Sequence, residues 1–396
     1  MAHSLYIHIP FCRSKCTYCD FFSVPVNSAV SDEYVCALVN EIDYRLKNNL
    51  PDKIRTVYIG GGTPSLLKPS CILRICDAVK PFMEKDYQYE WTIEANPDDL
   101  TSEFLDVLKK GGINRLSCGI QAFDDQVLSA VRRRSSLECV KKCFELVENE
   151  WEGQFSVDLI SGLPKQDPKK FLKGLEAVLS YSPDHVSLYS LSIEEGTVLE
   201  KEIRSGALKY NFDEADQMWL LGRNFLEHNG YEQYEVSNFV NVRTGIKSAH
   251  NLAYWNSLDY IGCGSAATGT VRERNNKGLF EGFRWINSKK IEEYVSFWLS
   301  FSKDKSFCCL PEENERLDEE TLVFEYFMMG LRVLSGVCIE SFCERFEREF
   351  PRNVLDLGLE WQDEGKALFY EREGRHFFCL TKKGILFLND FLRKII

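Results

Sequence analysis

The sequence has no surplus of positive charge. Its 48 Lys and Arg residues are outnumbered by 60 Asp and Glu residues, and the formal net charge is −12. General binding to nucleic acid, or to an anionic membrane surface, requires a basic face on the protein. We therefore expect the chain to bind neither.

The sequence also lacks long apolar runs. No stretch approaches the ~18 apolar residues of a transmembrane helix, and the N-terminal residues lack the charged and then apolar segments of a secretion signal. We therefore predict a cytoplasmic protein without a transmembrane segment. Because thiols stay reduced in that compartment, the 15 cysteines are not expected to form a disulfide framework.

The cysteine cluster near the N-terminus lacks a fourth member. Cys12, Cys16 and Cys19 follow a C-x3-C-x2-C spacing in "IHIPFCRSKCTYCDFF", whereas a structural zinc site takes four ligands. Three thiolates on one loop can instead hold three irons of a [4Fe–4S] cluster. The fourth iron is then free for a chelating ligand, and the amino and carboxylate groups of S-adenosylmethionine suit that position. A coincidental cluster or a three-thiol metal site is the alternative.

The first half of the chain alternates short strand patterns with longer amphipathic patterns. This alternation is typical of β-α units that build a parallel sheet. The predicted strands are 5–9, 56–60, 91–95, 115–120, 155–160 and 185–191, and the predicted helices are 31–48, 70–83, 101–110, 124–148 and 168–180. Six such units favour an α/β fold with a partial (β/α)6 barrel over an open sheet.

Polar residues gather where the predicted strands end. The cysteine loop follows the first strand, "GGGTPS" (Gly60 to Ser65) follows the second, and Glu94, Gln121 and Asp158 belong to the next three. Active sites of β/α barrels are built on this face. The glycines allow close backbone approach to a ligand, although a tight strand–helix turn explains them as well. Arg133 lies in an exposed-looking "RRRS" run, so solvation of a helix end is the alternative there.

The second half of the chain follows a different pattern. The segments 226–240 and 246–269 are aromatic-rich and predict strand-and-loop structure packed on the barrel, and 302–316 is typical of a linker. Helices predicted at 318–335, 339–350, 352–363 and 381–395, with a hairpin turning at Gly374, indicate a winged-helix-like α+β domain. Such domains often bind DNA, but 306–396 holds 12 Lys and Arg against 18 Asp and Glu. A DNA reader needs the opposite balance.

Taken together, these blocks resemble the oxygen-independent coproporphyrinogen-dehydrogenase-like branch of the radical-SAM proteins. The matching blocks are "LYIHIPFCRSKCTYCDF", "YIGGGTPS", "TIEANP", "RLSCGIQAFDDQVLSAVRR", "VDLISGLPKQ", "HVSLYSLSIEEGT", "YEVSNF" and "HNLAYW". The resemblance implies that Cys12, Cys16 and Cys19 hold a [4Fe–4S] cluster. It also implies that S-adenosylmethionine is bound by Tyr6, Tyr18, Gly61, Gly62, Thr63 and Glu94, and a second such molecule by Gln121, Arg133, Asp158 and Ser192.

The block "HNLAYW" resembles the H-N-x-x-Y-W block of the heme chaperones within this branch. Histidine can ligate heme iron, and aromatic rings offer flat apolar surface to a porphyrin, so the resemblance implies a heme site at His250, Asn251, Tyr254 and Trp255. The alternative for His250 is a buried, hydrogen-bonded histidine in an aromatic core. Thr268 stands where these chaperones often have histidine, so no heme role passes to that position.

The sequence therefore predicts a heme chaperone that delivers heme to apo-hemoproteins, with transient contact to membrane hemoproteins possible. We divide the chain into a barrel (1–235), an aromatic-rich extension (236–305) and a winged-helix-like domain (306–396). The alternative is a dehydrogenase that decarboxylates coproporphyrinogen III, so enzymatic turnover stays open. Against it, Phe21 replaces a cysteine typical of the dehydrogenases, and the first strand begins too early for their N-terminal extension. A winged-helix DNA regulator is the remote alternative.

Overall fold

The computed structural model describes residues 3–26, 30–49, 53–84, 88–276, 278–301 and 312–395. The strands of the described residues are β1 (His3–Ile9), β2 (Phe11–Cys12), β3 (Val24–Pro25), β4 (Ile54–Gly61), β5 (Glu90–Ala95), β6 (Arg115–Gln121), β7 (Gln154–Ser161), β8 (His185–Ser190), β9 (Tyr231–Gln233), β10 (Asn238–Asn241), β11 (Tyr260–Cys263), β12 (Thr268–Arg274), β13 (Phe280–Asn287), β14 (Glu312–Leu317), β15 (Val337–Cys338), β16 (Ala367–Arg372) and β17 (Arg375–Leu380).

The helices surround this sheet structure and build the C-terminal region. They are α1 (Asp32–Asn49), α2 (Pro69–Val79), α3 (Ser102–Gly111), α4 (Asp125–Ala130), α5 (Leu137–Glu150), α6 (Pro168–Leu179), α7 (Val198–Arg204), α8 (Phe212–His228), α9 (Ala249–Trp255), α10 (Ile291–Ser300), α11 (Glu319–Gly330), α12 (Ile339–Phe346), α13 (Arg352–Asp363) and α14 (Leu388–Ile395). Within the described residues, no helix is both long and apolar enough to cross a membrane.

The barrel is a run of parallel strands in the order β1, β4, β5, β6, β7 and β8. Apolar side chains such as Ile7, Ile59, Ile93 and Leu116 are fully buried, because helices cover one face and the barrel interior the other. The prediction of a partial (β/α)6 barrel is confirmed. The strands end together on one side, which brings the loops that follow them to a common face.

The prediction of one continuous helix over residues 124–148 is wrong. The chain forms α4 and then α5, and the break between them contains the arginine run. Arg132 adopts a left-handed φ of 55°, which ends one helix, and the Ser136 side chain accepts from the Cys139 N–H and caps the next. Because of this break, Arg133 lies between the two helices rather than on a helix surface.

The sheet continues beyond the barrel on both sides. Strand β11 pairs with β1 in parallel, and β12, β13 and β14 follow antiparallel, while β10 and β9 extend the edge at β8. The prediction of a linker is therefore wrong for residues 312–316, because they pair with β13. Residues 302–311 lie outside the described residues. The segment 246–269 also contains helix α9, which the strand-and-loop prediction missed.

A buried ionic network fastens this extension to the barrel. Glu41 on α1 accepts hydrogen bonds from Arg45 Nε at 2.7 Å, Asn287 Nδ2 at 2.7 Å and Tyr294 OH at 2.6 Å. Arg45 also pairs with Glu312 on β14. Side chains of Glu41, Arg45 and Glu312 are at most 2 % exposed, so each charge depends on the others for compensation.

The C-terminal region has the winged-helix-like form that the sequence predicts. Helices α11, α12 and α13 pack around Phe327, Phe342 and Phe378, and β15, β17 and β16 form the small sheet. The hairpin turns at Glu373–Gly374 as expected. The first helix of the region ends at Gly330 rather than residue 335, and a short 3-10 turn precedes α14. The three-part division of the chain stays a prediction.

Candidate functional site

A cavity of about 450 Å³ opens at the carboxyl ends of the barrel strands. We call it the cysteine cavity because Cys12, Cys16 and Cys19 all line it. Its lining also contains nearly all of the residues predicted to contact S-adenosylmethionine: Tyr18, Gly61, Gly62, Thr63, Glu94, Gln121, Arg133, Asp158 and Ser192. Positions far apart in the chain therefore converge, as expected for loops that follow neighbouring parallel strands.

The three thiols are half-buried and have polar neighbours. Thr63 Oγ1 lies 3.4 Å from Cys12 Sγ, and Arg133 Nη1 lies 3.7 Å from Cys16 Sγ. Burial raises the pKa of Cys19 to about 11. Among the described residues, no three His, Cys, Asp or Glu side chains converge around a single metal ion. The donor set suits a cluster in which each thiolate binds its own iron, and a nearby arginine compensates its negative charge.

The glycine run makes a close contact with the protein's own first strand. A Cβ at Gly62 would lie 2.6 Å from the carbonyl oxygen of Phe11, and one at Gly61 would lie 2.5 Å from the His8 ring. Gly61 also has a φ of +114°. The glycines are therefore required for packing the loop against β1 and β2, which places its backbone at the cavity wall.

Glu94 and Asp158 are two of the four carboxylates that line the cysteine cavity. Glu94 accepts from Tyr58 OH at 2.8 Å and from the Gly61 N–H at 3.1 Å, while Asp158 accepts from the Ser117 hydroxyl at 3.0 Å. Burial raises the pKa of Glu94 to about 7, and it also raises the pKa of Asp158. A bound cation such as an ammonium group would favour the ionised forms.

Arg133 belongs to the cavity rather than to an exposed helix end. Its guanidinium donates to Asn96 Oδ1 at 2.6 Å and to the Gly119 carbonyl. Its neighbour Arg134 also lines the cavity, but its guanidinium is paired with Asp98 and Asp99. Gln121, at the end of β6, has a φ of 66°, and such non-glycine strain is concentrated at functional sites.

Tyr6 lies outside the cysteine cavity, contrary to the grouping that the sequence suggested. It lines a second cavity of about 430 Å³, which we call the aromatic cavity. The lining is Tyr6, His8, Phe21, Phe22, Tyr58, His250, Asn251, Tyr254, Tyr260, Ala266 and Thr268. Phe21 is 71 % exposed and lines both cavities, so the two open beside each other.

His250 lies at the buried wall of the aromatic cavity. Its Nδ1 is 2.9 Å from Thr56 Oγ1, and its Nε2 is 3.2 Å from Tyr254 OH. Burial lowers the pKa of His250 to about 3, so the imidazole is neutral. Both ring nitrogens therefore have protein partners, and iron ligation by Nε2 would require the Tyr254 hydroxyl to move aside.

Trp255 does not join the other residues of its block. It lines a different cavity, and the Arg332 guanidinium lies 5.6 Å from its ring centroid. His250, Asn251 and Tyr254 do line one cavity together. The helical form of this block explains the division, because successive residues of a helix face different directions.

Three residues near the site were missed by the sequence analysis. His8 bridges Tyr6 OH at 2.8 Å and the Phe22 carbonyl at 3.0 Å. Tyr58 pairs in register with Tyr6 across β1 and β4. The alternation of side chains in a strand was an available signal, since it places residues 6 and 8 on one face.

Glu90 is the third missed residue, and it holds the helix that carries His250. Its carboxylate accepts from the N–H groups of Ala249 at 2.7 Å and His250 at 3.0 Å, and from the Ser248 hydroxyl at 3.2 Å. A carboxylate at this position satisfies N–H groups that the first helical turn leaves unpaired. No local sequence signal connects residues 90 and 250.

Comparisons with known proteins show which family the chain is similar to. Residues 6–178 match the family model of the radical SAM superfamily. The chain is 34 % identical to the heme chaperone HemW of Bacillus subtilis, over 98 % of this chain and 97 % of that protein. It is 30 % identical to HemW of Escherichia coli with the same coverage. The solved structure of coproporphyrinogen III oxidase (HemN) from Escherichia coli is 20 % identical with a TM-score of 0.78, covering 99 % of this chain and 89 % of that one, which shows a shared fold.

Proposed function

We propose, since the chain belongs to the HemW family of radical SAM proteins, that it binds heme and delivers it to apo-hemoproteins. Membership in this family implies S-adenosylmethionine and a [4Fe–4S] cluster as cofactors. Heme is then the cargo rather than a resident cofactor. The acceptor proteins and the cytoplasmic location stay predictions from the sequence.

In this proposal the cysteine cavity holds the resident cofactors. Cys12, Cys16 and Cys19 would ligate three irons, and Glu94 would bind the ammonium group of S-adenosylmethionine. Arg133 and Asp158 offer opposite charges to further groups of such a molecule, and Gln121 and Ser192 offer polar edges. When bound, the cluster could supply electrons for the reductive cleavage of the sulfonium.

The observation that carries the heme assignment is the aromatic cavity beside the cysteine loop. His250 lies at its wall, Tyr6, Tyr58 and Tyr254 surround it, and Phe21 connects it to the cysteine cavity. Flat apolar rings and a neutral imidazole suit a metalloporphyrin. Iron ligation would take place with Tyr254 displaced from Nε2, so the proposal predicts a rearrangement on loading.

The experiment is heme binding by the reconstituted full chain, with His250→Ala compared with His185→Ala. His185 is a matched control because it is also buried, and its nitrogens contact Ser156 Oγ and Tyr234 OH, both at 2.9 Å. Both variants should lose similar stability. We expect only His250→Ala to change the heme Soret spectrum and to reduce transfer to an apo-hemoprotein.

Two results would contradict the proposal. One is unaltered heme binding and transfer by His250→Ala in protein shown to be folded, which would overturn the assignment of heme to His250. The other is catalytic formation of decarboxylated porphyrinogens from coproporphyrinogen III, in the presence of S-adenosylmethionine and a reductant, which would overturn the function. That second result would make the chain a dehydrogenase.

A further inference from the structure

A third cavity, of about 650 Å³, lies between the barrel extension and the C-terminal region. It collects positive charge on a chain whose net charge is −12. We call it the basic cavity because Lys247, Arg345, Arg372, Arg375 and Lys382 line it. Among the described residues of its lining, Glu232 is the one carboxylate.

Among the residues that the structure describes, three of these cations have no carboxylate partner in an ion pair. Arg375 pairs with Glu344 at 2.6 Å, and Lys382 pairs with Glu227 at 2.5 Å. By contrast, Lys247, Arg345 and Arg372 form no ion pair with any described residue. Lys247 and Arg372 are exposed and Arg345 is half-buried. Because a cleft lined by charge of one sign attracts ligands of the opposite sign, the concentration of these cations in one cavity favours an anionic ligand.

Arg345 is the most enclosed of the three. Its Nη1 lies 3.3 Å from the backbone carbonyls of Asn256 and Ser257, and its guanidinium lies 5.3 Å from the Tyr326 ring centroid. Burial lowers the pKa of Arg345. The two carbonyls fix the side chain in one orientation, and Arg345 forms no ion pair with a carboxylate of the described residues.

The cavity also has flat aromatic walls. The Arg372 guanidinium lies 4.8 Å from the Phe377 ring centroid, and the Lys247 ammonium lies 5.5 Å from that of Tyr234. Trp255 completes this set, and its buried indole N–H has no hydrogen-bond acceptor among the described residues. Aromatic walls combined with unpaired cations suit a flat apolar body that carries carboxylates.

Helix α9 connects this cavity with the proposed heme site. Its residues His250, Asn251 and Tyr254 line the aromatic cavity, while Leu252 and Trp255 line the basic cavity. One helix therefore contributes to the walls of both cavities, and the "HNLAYW" block supplies side chains to each of them.

We propose that the basic cavity is a second porphyrin site, in which Lys247, Arg345 and Arg372 bind the two propionate carboxylates of heme. The volume lies within the range of small-molecule sites in proteins, and the aromatic walls contact the macrocycle. The inference rests on the proposed function, because that function makes heme the cargo. It adds a site that does not use His250.

The test uses metal-free mesoporphyrin IX, which cannot be ligated through iron, and its dimethyl ester, which lacks the two charges. The protein is the full chain carrying His250→Ala, so that the aromatic cavity is impaired. We compare Lys247→Gln/Arg372→Gln with Lys173→Gln/Arg352→Gln, which removes two exposed cations outside the three cavities. Binding is followed by porphyrin fluorescence at low and high salt.

We expect the cavity pair of substitutions to raise the Kd of mesoporphyrin about tenfold or more, with no change for the control pair. Tight binding by the parent protein should weaken with salt, and the ester should bind weakly to every variant. The second site would be overturned if the two double variants bound mesoporphyrin with equal affinity. It would also be overturned if the parent protein bound mesoporphyrin and its dimethyl ester with equal affinity.

The result also separates this inference from the proposed function. If heme transfer is normal but porphyrin affinity responds neither to the cavity substitutions nor to esterification, only the second site is contradicted. Charge-dependent binding of mesoporphyrin and of heme by a wild-type chain that does not transfer heme would support the second site and contradict the proposed function.

Discussion

The hydroxyl of Tyr58 donates a 2.8 Å hydrogen bond to Oε1 of Glu94. The ring of the same tyrosine stacks on His250, with 5.2 Å between centroids. One side chain therefore contacts the carboxylate of the cysteine cavity and the imidazole of the aromatic cavity. In the proposed function, Tyr58 therefore connects the cofactor site with the cargo site.

The first prediction concerns Tyr58→Phe and the pH dependence of S-adenosylmethionine binding. Burial raises the pKa of Glu94 to about 7, and the Tyr58 hydrogen bond opposes that rise. Because an ammonium group binds the ionised carboxylate, removing the hydroxyl should raise the pKa further and weaken binding. We expect a loss of about tenfold at pH 7, which shrinks at higher pH, measured by calorimetric titration from pH 6 to 8.5.

Tyr370→Phe is the control for this prediction, because the Tyr370 hydroxyl donates to the Ser335 carbonyl in the C-terminal region. Its pH profile should match that of the wild type. If Tyr58→Phe lowered affinity by the same factor at every pH, the effect would not act through Glu94, and the assignment of Glu94 to the ammonium would be wrong.

The second prediction concerns the cluster. Cys12→Ala, Cys16→Ala and Cys19→Ala should each prevent anaerobic reconstitution, because a cluster held by three thiolates has no spare protein ligand. Wild type should retain about four irons per chain, measured by iron and sulfide analysis and by the visible absorption of the cluster. Cys36→Ala, at a half-buried thiol outside the cavity, should load like the wild type; full iron content in any of the three variants would contradict the ligand assignment.

Much of the barrel and of the cysteine cavity could be predicted because the signals are local. Strand β5 is predicted at 91–95 and observed at Glu90–Ala95, since buried strands carry short β-branched and aromatic runs. Once strands and their order are known, Glu94 and Asp158 must lie at the same edge of the sheet. That geometry follows from chain direction alone.

The features that were missed depend on contacts between distant parts of the chain. Tyr6 lines the aromatic cavity because β1 lies between β4 and β11, and the sequence does not reveal that β11 returns to this edge. Glu312 lies in β14 because β13 offers it a free edge and Arg45 offers it a charge. The division of the "HNLAYW" block between two cavities required knowing that it is helical.

The third prediction concerns the pH dependence of stability at Glu235. This buried carboxylate lies where β9 and β10 meet the C-terminal region, and burial raises its pKa to about 7. A raised pKa stabilises the folded state below the unfolded-state pKa, and that contribution is lost as pH rises through the folded value. Glu235→Gln removes the titrating group. The unfolding free energy of the variant relative to wild type should therefore rise by about 2 to 3 kcal/mol as the pH rises from 4.5 to 8.

Urea unfolding at several pH values measures this difference directly. Glu232→Gln is the matched control, because Glu232 is exposed on the adjacent strand β9, and its difference from wild type should stay flat with pH. A flat difference for Glu235→Gln as well would show that Glu235 does not titrate across this range.

The fourth prediction concerns the network that fastens the sheet extension to α1. Arg45→Met should reduce the unfolding free energy by about 3 to 5 kcal/mol, because Glu41 and Glu312 would remain buried without a cation. The comparison is Lys47→Met on the same helix, which breaks the half-exposed pair with Asp43. That change should cost less than about 1 kcal/mol. Denaturant unfolding of the two variants tests whether burial, rather than the number of ion pairs, determines the cost.

A second substitution distinguishes loss of charge compensation from loss of packing. Adding Glu41→Gln to Arg45→Met removes one of the two uncompensated carboxylates while keeping an acceptor for Asn287 and Tyr294. We expect the double variant to be more stable than Arg45→Met alone, since an unpaired buried charge costs more than a neutral amide. If the double variant were less stable, the loss in Arg45→Met would come from the contact of Arg45 with the Trp285 ring, 4.5 Å from its guanidinium, and the ionic explanation would be wrong.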